Sequence, residues 1–208
     1  MRRTIRAFAD RLGARLSAHA RRIARDERGV SLIEFAMLLP LMLTLFVGAI
    51  EISQAVALDR KVSIAGRSVA DLVAQVTSVS NADRDNIFEA AKQVSYPYSA
   101  SKLKIKISSV KIDADKVAKV MWGDADGGAT KRNKDDVVTS LVPAGIRIAN
   151  TTVIWGEVEY VYSPIIAGSD KDWFWKLTGD KTLTDQIFMR PRLSDCVQRP
   201  EQNVTSCS

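Results

Sequence analysis

Arg28-Gly29-Val30-Ser31-Leu32-Ile33-Glu34 runs straight into Phe35–Ile50, sixteen residues without a charge. This stretch decides the fold. As a helix, sixteen residues reach roughly 24 Å, short of a ~30 Å hydrocarbon core. Extended over Val30–Leu58 the run has 29 residues, with Glu34, Glu51 and Gln54 as the main polar interruptions, and is long enough to span. A cleaved secretory signal is the competing expectation, and the small residues between Ala49 and Ala57 keep it open. A carboxylate at the edge of a span is costly, so Glu34 needs a reason.

Charge works outward from this stretch. Residues 1–28 hold nine arginines against Asp10, Asp26 and Glu27, while the other 180 residues hold 21 basic and 21 acidic side chains. The pI of about 9.4 therefore describes a basic arm ahead of a neutral remainder. Nucleic-acid binding wants cations spread over a folded surface, so that class is disfavoured. Arginines ahead of the span predict a cytoplasmic N-terminus, with residues beyond about 58 exported. Ile5, Phe8, Leu12 and Leu16 suggest an amphipathic helix in the arm, lying on membrane lipid.

Beyond the span, Ile52, Val56, Ile64, Val69, Leu72, Val73 and Val76 continue an apolar stripe, and no proline falls between Leu41 and Val76. A single helix of some 45 residues is expected, with Pro40 kinking its first turns. Ser80-Asn-Ala-Asp83 supplies caps for a second helix over about 82–95, ended by Tyr96-Pro97-Tyr98. The period then changes to two. Lys102–Ser108 alternates with lysines outward, Val117–Trp122 fits as its antiparallel partner, and Gly123–Asp136 reads as a loop. Thr152–Tyr162 is the strongest strand, a short aromatic helix is expected over Lys171–Leu177, and Thr182–Arg190 is the last strand. The fold class is α+β: a long N-terminal transmembrane helix carrying an exported domain with a small antiparallel sheet and short helices. The expected divisions are 1–29 arm, 30–58 span, 59–98 helical segment, 99–192 sheet domain and 193–208 cysteine-containing tail.

No catalytic residues can be named. The single histidine, His19, lies in the arm, and no nucleophile pair, phosphate loop or metal-ligand cluster stands out, so the protein is not expected to be an enzyme or to hold a cofactor. Asp124, Asp126 and Asp135 resemble half of a calcium loop, but Gly128 and Ala129 stand where ligands should be, which leaves a solvated turn. Trp155, Tyr160, Trp173, Phe174 and Trp175 are expected in the core rather than on an interaction face. Cys196 and Cys207 are an even pair on the exported side, expected to be bridged, with two unpaired tail thiols as the alternative. Asn150-Thr-Thr and Asn203-Val-Thr are formal glycosylation sequons.

The spacing of Gly29 and Glu34 has a mechanical use. A cut after Gly29 makes Val30 the new N-terminus, one helical turn from Glu34 on the same face. The new ammonium would sit at the positive end of a helix dipole, where a carboxylate from its own chain or a neighbouring subunit neutralises it. The competing expectation is that Glu34 snorkels at the cytoplasmic boundary beside Arg28.

The run Arg28–Pro40 resembles the N-terminal signature of TadE-like proteins of the tight-adherence (Flp, type IVb) pilus system. Gly48-Ala-Ile-Glu51-Ile-Ser, Ala65-Gly-Arg-Ser-Val-Ala70, Met121-Trp-Gly-Asp124, Glu157–Pro164 and Met189-Arg-Pro-Arg192 also fit. The resemblance implies a pseudopilin or minor pilin of the bacterial inner membrane, with its C-terminal domain periplasmic, reaching an extracellular pilus after processing. It implies cleavage by a prepilin peptidase between Gly29 and Val30, Glu34 as the subunit-assembly carboxylate, and Phe35 as the aromatic that follows it. Other pilin subunits and the assembly platform are the implied partners. The 179 residues after Gly29 exceed a major Flp pilin, which favours an accessory subunit. A permanently anchored, TadG-like envelope protein is the alternative.

Overall fold

The computed structural model describes residues 28–163 and 181–207. Helix α1 spans Arg28–Ala74 and α2 spans Asn81–Val94. Strands β1 (Leu103–Ile112), β2 (Ala118–Asp126), β3 (Thr151–Tyr162) and β4 (Lys181–Met189) form one antiparallel sheet in the order β2-β1-β3-β4. The chain divides into two compact units, Met1–Ile50 and Glu51–Ser208. The arm, the expected helix over Lys171–Leu177 and Trp173, Phe174 and Trp175 lie outside the described residues.

In the first unit, α1 exposes Leu32, Ile33, Phe35, Met37, Leu38, Leu41, Met42, Leu45 and Phe46. Among the described residues, one helix segment, Ser31–Ala74, is long and apolar enough to cross a membrane. The helix continues through Pro40, whose carbonyl accepts a hydrogen bond from Thr44 Oγ1 at 2.8 Å.

In the second unit, the buried stripe is only partly the one expected. Val69 and Val73 are buried as expected, with Ala65, Ala70 and Ala74, but Ile52, Val56, Ile64 and Leu72 are exposed and Leu58 and Val62 take their place. Apolar side chains lie around much of the helix here, so apolarity alone does not choose the face that is buried. Close approach does. Gly66 and Ala70 lie against β3, where a Cβ on Gly156 would stand 3.2 Å from both the Ala70 methyl and the Gly66 carbonyl. Small residues on both sides let the helix sit low on the sheet, and the bulkier Ile64 and Leu72 are turned outward.

The sheet has two faces. Leu103, Ile105, Ile107, Trp122, Ile154, Val158, Tyr160 and Tyr162 belong to the core cluster that includes the α1 residues. The register pairs Lys104 with Glu159 and Lys106 with Glu157, so the outward lysines of β1 meet carboxylates of β3. At the other end the outward face is apolar: Val110, Ile112, Val120, Val153 and Trp155 are covered by Val138 and Val142. Arg132 marks the boundary, its guanidinium 3.6 Å above the Trp155 ring and paired with Glu157, while Phe188 stacks on Trp155 at 5.1 Å. Trp155 and Tyr160 are core residues, as expected.

The second strand is longer than expected. Residues 123–126 do not begin a loop; Gly123–Asp126 pair with Ser108–Ile105, beyond a bulge between Ser109 and Val110. Glycine and aspartate are poor strand formers, but this edge completes the backbone pairing of a buried β1, and partners elsewhere satisfy both aspartates.

Candidate functional site

Gly29 is the second residue of α1, and a Cβ placed on it would meet no atom within 4 Å. Neither packing nor a positive φ requires glycine here, while glycine in a helix costs about 1 kcal/mol against alanine. Val30 and Glu34 stand four residues apart in the same helix, one turn along one face. Glu34 is exposed and has no hydrogen-bond or ion-pair partner among the described residues. Phe35 is exposed beside it. Gly29, Glu34 and Phe35 thus stand unengaged among the described residues at the start of an apolar helix.

The helix carries a second carboxylate, Glu51, and this one is engaged. Tyr162 Oη donates to Glu51 Oε2 at 2.6 Å. Burial, and then the hydrogen bond to Glu51, push the Tyr162 phenol well above its ordinary range. Tyr98 Oη donates to the Gln54 carbonyl at 3.3 Å, and Lys61 Nζ donates to the carbonyls of Val94 and Tyr96 at 3.2 and 2.7 Å. Lys61 thereby neutralises the negative end of α2. These three side chains tie residues 51–61 of α1 to α2 and β3.

Helix α2 begins as the sequence predicts. Ser80 Oγ accepts from Asp83 N at 3.2 Å, and Ser80 N donates to Asp83 Oδ2 at 3.0 Å, closing a capping box. The Ser80 hydrogen bonds hold the Asp83 carboxyl below the usual range.

The largest correction concerns Asp124, which is not in a solvated turn. It is buried beside Arg199, which is 1% exposed. Arg199 Nε donates to Asp124 Oδ2 at 2.8 Å, Nη1 to the Val79 carbonyl at 3.1 Å and to Glu201 Oε2 at 2.6 Å, and Nη2 to Asn81 Oδ1 at 2.6 Å. Gln202 Nε2 donates to Asp124 Oδ1 at 3.0 Å. Asp126 pairs with Lys92 at 2.6 Å, which draws its carboxyl down. Among the described residues, no group of three or more His, Cys, Asp or Glu side chains is placed to hold a metal ion.

Cys196 and Cys207 are bridged, with Cα atoms 5.5 Å apart. Sequence reasoning found the bridge but missed what it accompanies. Cys196, Val197 and Val204 are core residues, and Trp122 Nε1 donates to the Val197 carbonyl at 2.7 Å. The available signal was Arg199-Pro-Glu-Gln202, a charged run following an apolar Cys-Val pair.

A family model described as TadE-like protein matches residues 29–71. The segment is TadE-like. It starts on the glycine singled out above and runs to Asp71, covering the exposed apolar turns, Glu34, Glu51 and the close-packed Ala65-Gly66. No curated protein and no solved structure matches the chain. A TadE-like segment points to a protein related to the Tad pilus, built on one candidate membrane-spanning helix near the N-terminus.

Proposed function

We propose that this chain is a TadE-like pseudopilin or minor pilin, a structural subunit in assembly of a tight-adherence pilus, cleaved after Gly29 by a prepilin peptidase. One observation carries it: a glycine with no packing role among the described residues opens the TadE-like match, and a carboxylate without a partner among them follows one turn after Val30. Glycine at that point has a use if a peptidase must approach the backbone. Glu34 has a use if it meets the new Val30 ammonium, on its own chain or on the next subunit. An unpaired carboxylate in the span costs about 2.5–3.5 kcal/mol, so this pairing would drive subunits together side by side. The exposed apolar turns 32–46 then contact lipid before assembly and neighbouring pilin helices afterwards. Cleavage removes nine arginines and leaves a chain with balanced charge. The assembly platform is a further partner, and the Glu51–Ser208 unit lies on the periplasmic side.

N-terminal sequencing of the membrane-extracted protein tests this. A mature chain beginning at Val30 is the expected result. An intact arginine arm would overturn processing and favour the permanently anchored, TadG-like alternative. Glu34→Ala is expected to leave membrane insertion intact and to reduce recovery in sheared pilus fractions. Wild-type recovery would refute the pairing role.

A further inference from the structure

The β1–β2 hairpin breaks a pairing rule. Lys111 of β1 and Lys119 of β2 are directly opposed in the register, and like charges so placed repel. A third lysine, Lys134, joins them around an open cleft of about 350 Å³. The other lining groups are Asp113, Asp135, the apolar Val117, Val120, Met121 and Val204, and tail residues 203–206. Met121 and Val204 are buried in the core cluster on the α1 side and make its apolar floor, while Val120 belongs to the cluster on the opposite face.

The two carboxylates offset the three lysines only in part, so the lining keeps a net positive charge. Asp113 Oδ1 is engaged by the backbone N–H groups of Asp115 and Val117, at 3.1 and 2.8 Å. Asp135 sits at φ 67° and forms no ion pair with any of the three lysines. Lys119 and Lys134 have no hydrogen-bond or ion-pair partner among the described residues, and Lys111 Nζ donates only to the Cys207 carbonyl, at 3.1 Å. Elsewhere on the same sheet, cross-strand lysines are matched with glutamates at 3.0 and 3.6 Å. The mismatch is therefore local to this cleft.

The wall opposite the lysines is held in place. The Cys196–Cys207 bridge closes the tail, and Arg199 and Val204 exchange backbone hydrogen bonds at 2.7 and 3.1 Å. A tied-down wall, an apolar floor and three lysines lining one cleft suit a compact oxyanion.

We propose that the Lys111–Lys119–Lys134 cleft binds a phosphate or carboxylate group, either as a free ion or displayed on an acidic polysaccharide. This stands apart from the pilus assignment, because no residue of the TadE-like segment lines the cleft.

The test uses the full chain in neutral detergent micelles, titrated calorimetrically with inorganic phosphate and with polygalacturonate at low ionic strength. Wild type is expected to bind at least one probe, and binding should weaken as salt rises. K119E/K134E should weaken it at least tenfold, and K181E, on β4, should leave it within twofold. Binding of phosphate alone assigns a free ion; binding of polygalacturonate alone assigns the polymer. The urea midpoint of K119E/K134E should not fall below that of wild type, which separates lost binding from lost folding. Failure of both probes to bind, or an equal loss in K181E, overturns the proposal.

Discussion

Replacing Arg199 with methionine is expected to cost the Glu51–Ser208 unit about 3–5 kcal/mol, because it leaves a buried carboxylate without its main partner. Asp124 would keep the Gln202 amide at 3.0 Å and Arg84 at 3.8 Å, so the lower end of that range is expected. Asp124→Asn leaves the guanidinium its contacts to Glu201, Asn81 and Val79, and should cost less, about 1.5–3 kcal/mol for one charge-assisted hydrogen bond. The two substitutions share one interaction, so they should not add. R199M/D124N should be less destabilised than the sum of its parts by at least about 1 kcal/mol. Urea titration of the full chain in micelles, followed by tryptophan fluorescence, measures all three. Trp122 is a suitable reporter, because it is fully buried and its indole N–H donates to the Val197 carbonyl of the same tail. A loss below about 1 kcal/mol in Arg199→Met, or strict additivity, would refute the assignment of Arg199 and Asp124 as a coupled buried pair.

Opening the Cys196–Cys207 bridge by double serine substitution should cost about 2–3 kcal/mol for a loop of this length, and the unreduced wild type should resist thiol labelling. Gly156→Val should cost about 1–3 kcal/mol through overpacking, read from the urea midpoint, since its Cβ would press on Ala70 and on a backbone carbonyl. Asp83 and Asp126 have carboxyls held below the ordinary value of 3.8, by Ser80 and by Lys92 respectively. Their contribution is complete above that value and is lost as pH falls through the depressed folded-state pKa. The urea midpoint should therefore fall on acidification below about pH 4, and less steeply in Asp126→Asn. An acid limb unchanged in Asp126→Asn would remove that carboxylate from the account.

Much of the architecture is legible because local rules and tertiary demands agree. Ser80 and Asp83 cap α2 as their spacing predicts, and the alternation at Lys102–Ser108 places Lys104 and Lys106 on the face opposite α1. Ambiguity entered where apolarity ran round the helix. Val69 and Val73 were legible as buried, but only the fit of Gly66 and Ala70 against Gly156 turns Ile52, Val56, Ile64 and Leu72 outward. The extension of β2 through Gly123–Asp126 was hidden because its aspartates find partners far along the chain, on Arg199 and Lys92. For the candidate site, Gly29 and Glu34 could be picked out because they offend local rules without compensation. Lys111 and Lys119 became conspicuous only once the register set them opposite each other.

The tail's position has a kinetic consequence. Gln198 exchanges backbone hydrogen bonds with Val79 and Thr77, and Arg199 reaches the Val79 carbonyl across 120 residues. Such distant contacts slow folding, because a long loop must close before they stabilise anything. Here they also set an order of events. The hydrophobic core beneath Trp122 stays open until residues 196–204 arrive, so a nascent chain halted before them has no way to bury Asp124 beside its arginine. Closure of the core around Trp122 is timed by synthesis of residues 196–204, long after helix residues 51–74 are made.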